Sequence, residues 1–176
     1  MRTTGFDLDM TLIDSRPGIK AVYEQLAAES GAAIDTDLVV SRLGPPVEWE
    51  LAHWLPDVEV QRWADRYRAL YPDVAIPLVE ALPGARVAVE AANSRGRTIL
   101  ITAKHGPNAR LHVEHLGLPI GDVFGEAWRE GKATVLREQG ATAYVGEHCH
   151  DIEAAQLAGV PGIGVATGPS AAGELL

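Results

Sequence analysis

Eight residues of this chain have the types and spacing to act together on one group: Asp7, Asp9 and Thr11 near the N-terminus, then Thr102 and Lys104, Lys132, and finally Glu147 with Asp151. Four carboxylates held close together repel one another and raise one another's proton affinity. A divalent cation resolves that repulsion, and an all-oxygen donor set suits Mg²⁺ rather than Zn²⁺. Lysines and hydroxyls beside such a cation suit a phosphate group, because cation and ammonium neutralise it and a hydroxyl donates a hydrogen bond. Taken singly, each residue has an ordinary structural explanation. Aspartates after a strand make a solvated turn, a Lys opening a helix is a surface charge, and Glu147 and Asp151 flank a helix start as caps. Their conjunction, in order along one rim, is what argues for chemistry.

They share a rim only if the chain alternates strands and helices. Residues 3–12 alternate Phe6, Leu8, Met10 and Leu12 against Asp7, Asp9 and Thr11, a period of two that places the three polar groups on one face of an extended segment. Residues 16–82 read as helices only. Ser15 caps the first, Pro17 lies in its first turn and Gly31 ends it, with Ile19, Val22, Leu26 and Ala27 on one stripe. Further helical segments follow at 36–43, from Pro45-Pro46 to Leu55, and after Asp57, where Val60, Trp63, Ala64, Tyr67 and Tyr71 recur at helical spacing. From Leu82 onward strands at 98–102, 122–125, 141–146 and 162–167 alternate with helices at 83–96, 107–116, 132–139 and 151–158. Strand–helix alternation of this length means crossover units and a parallel sheet covered by helices. Residues 1–15 and 83–176 then form one α/β core, and 16–82 are an insertion after its first strand. Ligands of such sheets bind beyond the carboxyl ends of the strands, where all eight residues would lie.

Composition bounds the partners. The chain has 176 residues, 47% hydrophobic and 22% charged, which fits one globular domain with a modest insertion and excludes disorder. A net charge of −9 disfavours nucleic acid and anionic membranes as partners. No apolar run approaches the ~18 residues of a membrane helix. An N-terminus carrying Asp7 and Asp9 is not a signal peptide, and the single cysteine, Cys149, excludes an internal disulfide and fits a cytoplasmic location.

Residues 6–15, Phe-Asp-Leu-Asp-Met-Thr-Leu-Ile-Asp-Ser, resemble the first motif of the haloacid dehalogenase superfamily of phosphohydrolases. Thr102 in Ile-Thr-Ala-Lys resembles its second motif, Lys132 in Gly-Lys-Ala its third, and Gly146 to Asp151 followed by Ile-Glu-Ala-Ala its fourth. The helical insertion, including Leu43-Gly44-Pro45-Pro46, is similar to the small helical cap of the phosphoglycolate-phosphatase-like subgroup. The resemblance implies a Rossmann-like parallel sheet with helices on both faces and an inserted helical cap. It implies a Mg²⁺-dependent phosphatase acting on a small phosphorylated metabolite through an aspartyl-phosphate. Asp7 would be the nucleophile and Asp9 the general acid, then base; Thr102 and Lys132 would hold the phosphoryl group. Asp7, the Asp9 carbonyl, Glu147 and Asp151 would hold the metal. Substrate contacts are expected from Thr11, Thr102, Ala103 and Lys104 on the rim and from Arg42, Trp49 and His53 in the insertion. The linkers at 14–17 and 76–83 would serve as hinges.

The chain departs from that family at three points. Met10 stands where glycine is usual, which bears on the flexibility of the loop. Glu147 stands where aspartate is usual; the extra methylene either alters the metal geometry or passes direct ligation to Asp151. The chain stops soon after the strand at 162–167, and residues 170–176 read as the start of a helix. His148, Cys149 and His150 bear zinc-ligand chemistry, but three adjacent residues do not easily face one ion. Among rival functions, a phospho-accepting receiver domain conflicts with the long insertion and with the position of Lys132. A phosphotransferase on the same fold would differ only in what the cap lets reach the phosphoenzyme. A dehalogenase would have no use for Asp9. A degenerate binding protein is the remaining alternative, motivated by Met10, Glu147 and the short C-terminus.

Overall fold

A computed structural model describes residues 2–175. The chain opens with β1 (Arg2–Phe6) and a two-residue strand β2 (Ile13–Asp14), then runs through α1 (Arg16–Ser30), α2 (Thr36–Ser41), α3 (Val47–Leu51) and α4 (Asp57–Val74). A 3₁₀ turn at Ile76–Leu78 leads to β3 (Glu80–Ala81). The remainder alternates as the spacing predicts: α5 (Ala85–Asn93), β4 (Gly96–Ile101), α6 (Gly106–His115), β5 (Asp122–Phe124), α7 (Glu130–Glu138), β6 (Ala143–Gly146), α8 (Cys149–Ala158) and β7 (Gly162–Gly164).

Five strands form one parallel sheet in the order β5-β4-β1-β6-β7. The chain leaves β1 toward β4 and β5 and returns on the other side through β6 and β7, so the strand order reverses between β1 and β6. A crevice opens at such a point. Burial on both faces explains the unbroken apolar run of β4: Leu100 packs in the cluster with Phe6, Leu8 and Val89, while Ile99 and Ile101 pack in the other with Leu136 and Tyr144. Gly5 in the central strand leaves room for the Tyr144 ring, because a Cβ there would come within 2.9 Å of it. Helices α1–α4 build a separate cluster around Leu26, Leu51, Trp63, Tyr67 and Tyr71. Gly31 ends α1 in the left-handed region at φ 72°, and the Asp35 carboxylate caps α2 by accepting from Leu38 N.

Four local expectations are corrected. The strand read over 3–12 stops at Phe6; residues 8–13 instead close a turn in which Leu8 O accepts from the amides of Thr11, Leu12 and Ile13. Leu8, Met10 and Leu12 are all buried because the turn itself lies inside the protein, so burial mimicked strand alternation. The two linkers expected to serve as hinges are read as loops, but they pair with each other, β2 against β3 antiparallel, with Leu82 N bonded to Leu12 O; the pairing leaves the hinge expectation open. Ser15 precedes α1 but its side chain makes no capping bond. The strand read over 162–167 ends at Gly164, and the helix start read at 170–176 is a 3₁₀ turn at Ala172–Glu174, with Leu176 outside the described residues.

Candidate active site

The loop after β1 carries Asp7 and Asp9 across the crevice. Asp7 N donates to Val145 O at 2.9 Å, extending the β1–β6 pairing by one residue. Met10 then turns the chain at φ 57°, the left-handed conformation that glycine adopts without strain. The Met10 carbonyl is held by the Thr167 hydroxyl, so the loop is fastened from the β7 side. Beyond β6, Gly146 has no Cβ, and the Asp151 carboxyl occupies the space one would take. From there Asp151 Oδ2 accepts from the amides of Glu147 (3.2 Å) and His148 (3.1 Å), in part the capping role its position suggested.

Lys132, in the first turn of α7, joins these two loops. Its Nζ donates to Asp7 Oδ1 at 2.9 Å and to Asp151 Oδ1 at 2.6 Å, and Tyr144 Oη reaches the same Asp151 oxygen at 3.3 Å. Asp7, Thr102, Lys132, Glu147 and Asp151 are all buried. Burial, together with Asp151 and Asp9, lifts the Asp7 carboxyl to about 7 against the pull of Lys132. Burial beside Asp7 and Asp151 lifts Glu147 to about 9. Lys132 is raised as well: burial opposes its charge, but Asp151 and Asp7 outweigh that and hold it protonated. Burial is the largest influence on Asp9 and raises it, but Lys104, Ser15 and His112 together outweigh burial and keep Asp9 below the usual carboxylate range.

Lys104 lies 3.0 Å from Asp9 Oδ1 and donates to Tyr71 Oη at 2.8 Å. That hydroxyl meets His112 Nε2 at 3.0 Å, and burial depresses His112 to about 3, so the ring is neutral and its Nε2 accepts the hydrogen bond of the Tyr71 hydroxyl. Tyr71 belongs to α4, which ties the helical block to the rim. At the end of β4, Thr102 N is held by Phe124 O and Thr102 Oγ1 accepts from Lys104 N at 3.2 Å.

Carboxylate oxygens of Asp7, Glu147 and Asp151 lie within 4.8 Å of one another. Glu147 Oε2 is buried without a hydrogen-bond partner. Hard oxygen donors, an orphaned carboxylate atom and raised proton affinities fit a divalent cation of the Mg²⁺ type. Asp151 is already engaged by four donors, whereas Glu147 is not.

These groups floor a cavity of about 210 Å³ roofed by the helical block. Asp7, Asp9, Thr102, Ala103, Lys104, Lys132, Glu147, Asp151 and Arg42 all line it. Thr11, Trp49 and His53 do not. Thr11 is buried in the turn, with its amide on Leu8 O. α3 turns Glu50 inward and Trp49 outward, onto a shallower groove with Trp128, Arg129 and His150. His53 is exposed, its Nδ1 2.8 Å from Trp49 O, one helical turn away. Sequence reasoning passed over Glu50, Arg68, Tyr71, His112 and Tyr144; Tyr71 sat on an apolar stripe, and its polar tip was the available signal. The donor atoms of His148, Cys149 and His150 do come within 4.8 Å of one another, so adjacency is no bar. However, His148 Nδ1 accepts from His150 N and His150 Nε2 faces the Arg129 guanidinium.

The family model described as haloacid dehalogenase-like hydrolase matches residues 5–165. No curated protein matches the chain. Among solved structures, a haloacid dehalogenase-like family hydrolase from Streptococcus pneumoniae superposes with a TM-score of 0.84 at 20% identity, covering 99% of this chain and 89% of that one. A predicted phosphatase from Clostridium acetobutylicum gives 0.84 at 18%, covering 99% and 88%. A predicted phosphoglycolate phosphatase from Haemophilus somnus gives 0.78 at 18%, covering 96% and 86%. At these identities the likeness shows the fold. Among the described residues no helix is long and apolar enough to cross a membrane.

Proposed function

Because this chain belongs to the haloacid dehalogenase-like hydrolases, we propose that it is a Mg²⁺-dependent phosphatase of small phosphorylated metabolites working through an aspartyl-phosphate. The observation that carries this reading is Asp7, a buried carboxylate at the floor of the cavity, gripped by Lys132 and flanked by an orphaned Glu147. Two structural neighbours, a predicted phosphatase and a predicted phosphoglycolate phosphatase, support the same reading.

In this mechanism Asp9, which Lys104 keeps ionised in the empty site, takes up a proton as substrate binds; an ionised Asp7 oxygen then attacks phosphorus and the ester P–O bond breaks, while Asp9 delivers that proton to the departing oxygen. Asp9 then takes a proton from water as the water oxygen attacks phosphorus, releasing phosphate and restoring Asp7. Splitting one displacement into two lowers each barrier. Lys132 and the Thr102 hydroxyl hold the transferring phosphoryl oxygens. A bound Mg²⁺ would be held by Asp7, Glu147 and the Asp9 carbonyl, and would supply positive charge against the phosphoryl oxygens. Asp151, saturated by its donors, positions Lys132 and the loop after β6. Lys104 holds Asp9 in place. Residues 16–82 act as a cap over a core formed by 1–15 and 83–176, and closing it excludes water. A single free cysteine, Cys149, fits a reducing compartment such as the cytoplasm.

The test is phosphate release from an aryl phosphate and a panel of metabolite monophosphates, with and without Mg²⁺, followed by acid quench of enzyme given labelled substrate. Mg²⁺-dependent release with acid-stable label on Asp7 is expected. No release from any ester, with or without metal, overturns the proposal.

A further inference from the structure

Resting on that phosphatase reading, we infer that the leaving group is uncharged and hydroxyl-bearing, a polyol or sugar monophosphate, and not a group carrying a second anion such as a carboxylate. The inference comes from the roof of the cavity. Among the described residues, the basic groups that the helical block contributes to its lining are Arg42 and Arg68. Each already holds a carboxylate. Arg42 grips buried Glu50 through Nε–Oε2 at 3.0 Å and Nη2–Oε1 at 2.7 Å, and Trp54 Nε1 adds a bond to the same Glu50 at 2.8 Å. Arg68 donates through Nη2 to Glu48 and through Nη1 to Asp65 at 3.3 Å. Glu48 and Glu50 also line the cavity, so the charges of the roof cancel. All of these partners belong to the block itself, so the pairing travels with it when it opens.

A carboxylate on the leaving group would therefore meet guanidinium groups whose charge Glu48 and Glu50 already balance, and would gain no net attraction from the roof. Phosphoryl recognition does not suffer, because Lys132 and the cation site lie at the opposite, core end. What the walls leave open instead are donors. Arg68 Nε and Trp128 Nε1 are buried without hydrogen-bond partners among the described residues, and both residues line the cavity. Neither atom can accept a hydrogen bond, so each calls for a ligand oxygen. Glu48 Oε2, which takes no part in the bond to Arg68, calls for the reverse, a ligand proton. A hydroxyl group is donor and acceptor at once and meets both demands. Ile19, Tyr23, Val39 and Tyr67 supply apolar wall for the carbon skeleton.

Glycerol 1-phosphate and 2-phosphoglycolate are a matched pair, similar in size and differing in whether the tail is a neutral diol or a carboxylate. Their kcat/KM values are measured in the parent enzyme with Mg²⁺, and their binding to the Asp7→Asn variant by calorimetry. Glycerol 1-phosphate is expected to be preferred by at least about tenfold in both arms, a free-energy gap of ~1.4 kcal/mol. In Glu48→Gln, which removes the charge facing Arg68 Nη2 and leaves only its bond to Asp65, the ratio should move toward 2-phosphoglycolate by several-fold. Equal or better handling of 2-phosphoglycolate by the parent overturns the inference, and the parent arms decide it even where Glu48→Gln does not fold. An aryl phosphate left intact while Asp7→Asn still binds the diol phosphate tenfold better would sink the hydrolase reading, and with it the leaving-group inference, leaving only the selectivity of the cavity for a neutral hydroxyl-bearing tail.

Discussion

The floor and the roof of the cavity treat their charges in opposite ways. On the floor, Asp7 and Glu147 are buried with proton affinities far above the ordinary carboxylate range, and one Glu147 oxygen has no partner. On the roof, Glu48 and Glu50 are as acidic by type, yet each is held by an arginine. Unsatisfied groups hold free energy that a ligand can release, so the floor is where chemistry is to be expected. Satisfied groups shape and select without reacting. The same residue types thus do different work, and the difference lies in their partners.

The largest break in this contrast is at the nucleophile. Asp7→Asn keeps the shape and removes the attacking oxygen, so turnover should fall by more than about 10³-fold with the circular dichroism spectrum unchanged. Activity within tenfold of the parent would mean that the floor is not reactive. Next comes Asp9. Its replacement by Asn should slow enzyme phosphorylation by an alkyl phosphate about 10²–10⁴-fold more than by an aryl phosphate, whose leaving group needs no proton. Pre-steady-state phosphorylation by both esters checks this, and equal losses remove Asp9 as the acid.

The cation sharpens the contrast in a pH-dependent way. Asp7 at about 7 and Glu147 at about 9 are raised above their ordinary values of 3.8 and 4.5, so the folded protein holds protons that the unfolded chain has released. Their contribution to stability is full below the unfolded values and is lost as pH rises through about 7 and then about 9. Mg²⁺ replaces those protons, so its gain in thermal midpoint should grow between about pH 6 and pH 9. A gain that shrinks as pH rises would argue against these carboxylates as the site. The smallest effects belong to the roof. Arg42→Ala leaves buried Glu50 without its bidentate partner and should destabilise by about 1–3 kcal/mol in denaturant unfolding. His53→Ala, outside the cavity, should stay within about ±0.5 kcal/mol and leave substrate ranking alone.

Element order was readable because strand and helix periods and Gly and Pro punctuation are local properties: β4, α6 and α8 fall close to where their patterns place them. The turn after β1 was not, because Leu8, Met10 and Leu12 are buried in a turn just as they would be in a strand. Nor was the pairing of β2 with β3, two-residue strands too short to carry a period. Motif spacing determined the family and brought Asp7, Lys132, Glu147 and Asp151 to one rim. Which partner each group takes was decided by tertiary structure alone. Lys132 chooses between carboxylates 125 and 19 residues away and takes both. Lys104 serves Asp9 because Tyr71 and His112 hold it there. Asp151 is saturated while Glu147 keeps a bare oxygen, because backbone amides of the loop after β6 happen to face one and not the other. A sequence specifies types and periods; burial and hydrogen bonding between distant segments set the charge state on which the chemistry depends.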